Sequence, residues 1–383
     1  MTRENVGTVE DLHESATRFT GLDDFGTDDY REGLAVLLES YERDAGLTPF
    51  GRRVKRAFLR GALIARLLSE ASWKQHPEYA DVPVERPIFV TGLPRTGTTA
   101  LHRLLTADPA HQGLEVWLTE VPQPRPPRST WAENPVFQRI QAGYEQHRVE
   151  HPEFLGAHES SADQVEECWQ VLRQSAKSIS YECLAYLPTY SSWLSRQDWT
   201  DAYQRHRRNL QLIGLPDKDR RWVLKNPSHL FALDALLAVY PDALVIQTHR
   251  APRTIIASVC SLNEQASAEW STAFHGSTVG QAQLELWARG AECFLDARSR
   301  YDAAQFYDVY YEDFVADPIG TVESIYRHFG LPLSSAARAG MTTLHRESAS
   351  RPGHRYALED FGLTAEQVDD RFARYLEAHA RTT

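Results

Sequence analysis

The run Gly92-Leu93-Pro94-Arg95-Thr96-Gly97-Thr98-Thr99 is built to do chemistry. Its glycines allow backbone angles that point successive N–H groups inward. Ile88-Phe89-Val90 before it reads as a short buried strand, and the apolar stretch from about Thr98 to Leu105 after it reads as a helix. A loop feeding a helix N-terminus gathers partial positive charge, so an anion belongs there. The glycine spacing matches the G-x-x-x-x-G-K-S/T loop of triphosphate-binding enzymes, but Thr98 occupies the lysine position. Arg95 carries the charge instead, inside the loop, where a guanidinium grips one phosphate or sulfate end-on. A 5′-phosphate bearing a single transferable group fits better than a triphosphate. A P-loop kinase-like transferase using ATP and Mg is the alternative.

A second anion site is suggested downstream. His249-Arg250-Ala251-Pro252-Arg253 follows a strand-like run, and Ser258 comes eight residues after Arg250, about two turns into the next helix. An arginine at a strand end and such a serine can converge on one phosphate. Lys225 ends the strand-like Trp222-Val223-Leu224, so its ammonium should project over the same sheet edge as the loop.

Loop, Arg-x-Pro-Arg and serine together resemble the PAPS-dependent sulfotransferase family, nearest to its bacterial members and to the tyrosylprotein branch, whose loop also carries arginine. The resemblance runs from about Arg86 to the C-terminus. It implies that Arg95, Thr96, Gly97, Thr98 and Thr99 hold the 5′-phosphosulfate of PAPS, that Arg250 and Ser258 bind its 3′-phosphate, and that PAP is the product. Lys225-Asn226-Pro227 resembles the family's Lys-x-Pro segment, which makes Lys225 a stabiliser of the leaving group or of the transferred sulfuryl. The basic segment Arg351-Pro352-Gly353-His354-Arg355 is the candidate lid over the nucleotide, with Arg351, His354 and Arg355 as its contacts.

In-line sulfuryl transfer to a hydroxyl benefits from a general base. Related enzymes with a glutamate base place it just after the loop helix, which makes Glu115 the first choice and Glu120 its rival. His229 could take the role that cytosolic members give to histidine, although it sits two residues late. His158, before the acidic run Glu166-Glu167-Cys168, is a further candidate. No metal-ligand cluster stands out and no metal is expected.

These side chains need a frame. Strand, loop and helix recur at Ile88–Leu105, at Trp222–Val239 and at Ala243–Val259, with Asp308-Val309-Tyr310-Tyr311 as a further strand and Pro318–Phe329 as its helix. Apolar strands alternating with helices imply an α/β fold: a P-loop-like three-layer sandwich with a central parallel sheet and ligands beyond the carboxyl ends of its strands. Thr27–Ser69 reads as helical, and Pro77, Pro83 and Pro87 bound a linker. The expected division is therefore a helical extension over residues 1–85 and the α/β domain over 86–383. Residues 113–219, dense in tryptophan and tyrosine, form an insertion expected to build the acceptor pocket, which favours a small hydroxylated acceptor that is hydrophobic or phenolic.

The bulk composition narrows the partners. A net charge of −11 over 383 residues argues against nucleic acid and polyanionic glycosaminoglycans as partners. Cys168, Cys183, Cys260 and Cys293 form no CxxC pair and suit free thiols in a reduced cytoplasm. Neither a secretory leader nor a membrane span is expected. A homodimer is compatible with the sequence.

Overall fold

The computed structural model describes residues 5–150, 161–347 and 356–380. Five parallel strands form one sheet: β1 (Ile88–Gly92), β2 (His111–Gln112), β3 (Arg221–Lys225), β4 (Leu244–His249) and β5 (Phe306–Tyr310), in the order β2-β3-β1-β4-β5. The period-two pleat explains why the central strands are apolar throughout. Ile88 and Val90 of β1, Val223 of β3 and Ile246 of β4 face a core shared with the helices Thr98–Thr106, Pro318–Phe329 and Ser335–Glu347. Phe89, Leu224 and Val245 face the opposite way, into a larger core with Leu233–Val239, Pro252–Ser267 and Gly276–Arg298. Both faces are covered, as the α/β sandwich requires.

The strand order places the binding edge. After β1 the chain moves toward β2 and β3, whereas after β4 it moves toward β5. The loops leaving β1 and β4 therefore diverge, and a crevice opens between them at the carboxyl ends. Gly92 pairs with Thr248 across this boundary. At a φ of 147°, Gly92 passes so close to β4 that a Cβ would lie 2.4 Å from Thr248 Oγ1 and 2.6 Å from its carbonyl oxygen. Only glycine fits.

The N-terminal region differs in detail from the sequence expectation. The helical stretch is broken at Asp44–Thr48 into Arg31–Arg43 and Pro49–Gln75. The Thr48 hydroxyl caps the second helix by accepting from Gly51 N at 2.9 Å, with Pro49 in the first turn. A further helix, Val9–Thr20, begins with a capping box between Thr8 and Asp11. Leu12, Leu37 and Leu63 from these helices join the same core as Phe89. No helix among the described residues is long and apolar enough to cross a membrane.

Candidate active site

The helix Thr98–Thr106 starts without any side-chain cap, because its N-cap is Gly97 in the left-handed region at a φ of 87°. Its first N–H groups thus face the loop. Arg95 also adopts a left-handed backbone, φ 64°, a conformation that costs a non-glycine residue energy and concentrates at ligand clamps. Inside the loop, Thr96 Oγ1 donates to Leu93 O at 2.6 Å and lies 2.5 Å from Thr248 Oγ1. Thr96 is thereby a brace that ties the loop to β4.

The two expected anion sites meet. Arg95 Nε donates to Ser258 Oγ at 3.2 Å, and Arg250 Nη1 donates to Arg95 O at 3.0 Å. Arg250 also lies 3.9 Å over the ring of Tyr311, which keeps its guanidinium extended. Neither arginine has a carboxylate partner among the described residues. Two cations and an open helix N-terminus therefore converge on the crevice between β1 and β4. Arg351, His354, Arg355 and His158 lie outside the described residues.

Lys225 stands at the end of β3, beside the loop, and is only 2% exposed. Its Nζ lies 3.2 Å from Thr99 Oγ1 and 2.5 Å from Glu167 Oε1. Glu167 reaches it because the next residue, Cys168, donates its N–H to Lys225 O at 3.0 Å, while Glu166 N bonds Leu114 O. The insertion is stitched to two strand ends, and this brings a carboxylate, an ammonium and a loop hydroxyl within hydrogen-bond range.

The other base candidates are placed differently. Glu115 is engaged by Arg125, whose Nε and Nη2 donate to Oε2 at 3.2 and 3.1 Å. Burial pushes the Glu115 carboxyl up, and Arg125 opposes that. The pair lines a cavity of about 540 Å³ together with Gln112, Asp217 and Thr106. Thr106 is eight residues along the helix from Thr98, or about 12 Å of rise, so this cavity sits at the end away from the loop. Glu115 therefore sits in an ion pair on the cavity at the far end of the loop helix. His229 is withdrawn: it is fully enclosed, its Nδ1 is 2.7 Å from Tyr203 OH, and its ring stands edge-on to Phe89 at 5.0 Å. Burial lowers its basicity strongly. Glu120 is held up by burial, with Tyr144 as its hydrogen-bond partner opposing. Sequence order favoured Glu115. The signal for Glu167 was the acidic run before Cys168, and it is meaningful only once the backbone contact to Lys225 is known.

His249, Asp308 and His379 bring possible metal-ligand atoms within 4.8 Å of one another. Arg298 donates to both Asp308 oxygens, at 2.6 and 2.7 Å, and a guanidinium in that position opposes a cation. The cluster therefore reads as a structural support for the strand that delivers Arg250.

Known proteins resemble this chain in sequence and in fold. The crystal structure of sulfotransferase STF1 from Mycobacterium tuberculosis H37Rv has 60% sequence identity and a TM-score of 0.92, covering 97% of this chain and 100% of that one. The structure of sulfotransferase STF9 from Mycobacterium avium has 30% identity and a TM-score of 0.90, covering 99% and 98%. The omega-hydroxy-beta-dihydromenaquinone-9 sulfotransferase Stf3 of Mycobacterium bovis is 26% identical over 263 residues, and the matched part spans 65% of this chain but only 64% of that relative's length. Residues 87–335, which run from the start of β1 past β5 and its helices, match the sulfotransferase family as a whole. The chain belongs to the sulfotransferase family.

Proposed function

We propose that this enzyme moves the sulfuryl group of PAPS to a hydroxyl on a small hydrophobic acceptor, with Lys225 and Glu167 at the reacting centre. The observation that carries the reading is the Glu167–Lys225–Thr99 chain at the mouth of the uncapped loop helix. The loop N–H groups and Arg95 take the 5′-phosphosulfate, and Arg250 with Ser258 takes the 3′-phosphate. Lys225 stabilises the charge that builds on the bridging oxygen as the S–O bond breaks. Glu167, next to it, accepts the proton of the attacking hydroxyl. In-line attack then gives the sulfate ester and PAP. The lid role of Arg351, His354 and Arg355 belongs to the same proposal.

The acceptor enters from the side of the insertion. Trp117, Tyr190 and Tyr203 are buried core, whereas Tyr144 and Trp169 are half-buried and remain available to an apolar ligand. The Stf3 relative is named for an omega-hydroxy-beta-dihydromenaquinone-9, which supports a hydroxy compound as the acceptor here. The test is PAP release from PAPS with a panel of phenols and lipid alcohols, comparing wild type with Glu167→Gln and Glu115→Gln. Glu167→Gln should lose turnover by roughly 10²-fold or more, and Glu115→Gln should retain most of it. The reverse order would move the base back to Glu115.

A further inference from the structure

A buried cation normally faces a carboxylate, because removing an unpaired charge from water is costly. Arg173, in the insertion, and Lys55, on the N-terminal helix Pro49–Gln75, depart from this rule. Arg173, the last residue of the helix Trp169–Arg173, is 6% exposed. Its Nε donates to Ser180 Oγ at 3.0 Å, and its guanidinium carbon lies 3.7 Å from the ring centre of Trp169, 5.3 Å from that of Tyr181 and 5.4 Å from that of Phe58. Lys55, from the helix Pro49–Gln75, is 1% exposed. Its Nζ donates to Leu184 O at 2.8 Å, 4.5 Å over Trp270 and 5.9 Å from the same Phe58 ring. Among the described residues neither side chain has an ion-pair partner, and burial together with the Arg173 charge pushes the Lys55 amine well below the usual lysine range. Aromatic faces soften the burial of a charge but do not replace an anion.

The direction of Arg173 connects it to catalysis. Its side chain folds back over Trp169, one turn toward the start of its helix. That start is Cys168, bonded to Lys225 O, with Glu167 immediately before it. Burial, then the Glu182 and Glu167 carboxylates, push the Cys183 thiol up, and Arg173 opposes them. Phe58, Trp169 and Trp270 are each only partly buried, so the cage keeps an open apolar wall. The whole chain is acidic, at −11, so an anionic acceptor would need local cations of this kind.

We propose that Arg173, supported by Lys55, receives an anionic group of the acceptor. The acceptors are then apolar hydroxy compounds with a negative charge at the end away from the hydroxyl. Glu167 precedes the N-cap of the five-residue helix that ends at Arg173, and Arg173 folds back over Trp169, so the two charges stand within about two helical turns of each other. This inference rests on the reading of Glu167 and Lys225 as the sulfuryl-transfer centre.

The experiment measures binding of 4′-hydroxybiphenyl-4-carboxylate and its neutral carboxamide to the full chain saturated with PAP, by quenching of tryptophan fluorescence. The carboxylate should bind at least tenfold tighter, and Arg173→Gln should bring the two constants together. Lys55→Met, which leaves Arg173 in place, should narrow the gap by a smaller factor and covers the case in which Arg173→Gln does not fold. Equal binding of the two probes by wild type, binding of neither, or a gap that survives in Arg173→Gln overturns the proposal. Failure of PAP itself to bind would instead strike the sulfuryl-transfer reading beneath it.

Discussion

Replacing Lys225 by methionine separates catalysis from stability at the proposed centre. The ammonium contacts Thr99 Oγ1 at 3.2 Å and Glu167 Oε1 at 2.5 Å and is almost wholly shielded from water. A preorganised charge of this kind contributes about 3–4 kcal/mol to a transition state, or roughly 10²–10³ in kcat. The same substitution strands the Glu167 carboxylate, which retains 20% exposure. Breaking a fully buried pair costs 3–5 kcal/mol, so a loss of about 2–3 kcal/mol is expected for this partly wetted one. The double variant Lys225→Met/Glu167→Gln removes the stranded charge. It should recover most of the melting temperature and none of the turnover, a non-additive result expected of groups in contact. The assays are PAP release and thermal unfolding on the same preparations. A Lys225→Met enzyme within threefold of wild-type kcat, or a double variant that regains turnover, would refute the reasoning.

Other perturbations probe the frame. Arg250→Ala should weaken PAP by roughly 10–100-fold, the value of one charged hydrogen-bonded contact, and leave AMP binding unchanged in the same calorimetric titration. Gly92→Ala forces a Cβ against Thr248 at a backbone angle that suits glycine; it should lower stability by about 2 kcal/mol or more, read as a drop in melting temperature. Burial alone would raise the Asp308 carboxyl, but Arg298 and His249 outweigh it and hold the group well below the usual range. A depressed carboxyl contributes stability above its unfolded value near pH ~4, and that stability is lost as pH falls toward the folded value. Asp308→Asn should therefore show a shallower fall in melting temperature below about pH 4 than wild type does.

The sheet was legible because its strands are buried on both faces, so Ile88-Phe89-Val90, Trp222-Val223-Leu224 and Ala243–Ile246 appear as apolar runs closed by glycine, proline or a cation. The two-residue strand His111–Gln112 leaves no such run and exists only by pairing with Arg221 and Trp222. The helix Val9–Thr20 was hidden by its polar surface, although Thr8 and Asp11 marked its start. Within the site, the loop and the approach of Arg250 and Ser258 to Arg95 followed from local order around strand ends. Glu167 did not. It reaches Lys225 through a backbone contact spanning 57 residues, and the pairing of Glu115 with Arg125, ten residues on, is made inside a proline-rich turn whose path sequence does not specify. The buried Arg173 and Lys55 were equally invisible, since each becomes notable only when its neighbours prove to be aromatic rings instead of carboxylates.

Calorimetric titration with 3′-phosphoadenosine 5′-phosphate, beside ADP and beside ATP with Mg²⁺, tests the donor assignment most directly. The convergence of Arg95, Arg250 and Ser258 on the crevice between β1 and β4 predicts tight binding of the 3′-phosphorylated nucleotide without metal and little binding of the others. Preference for ATP with Mg²⁺ would contradict it.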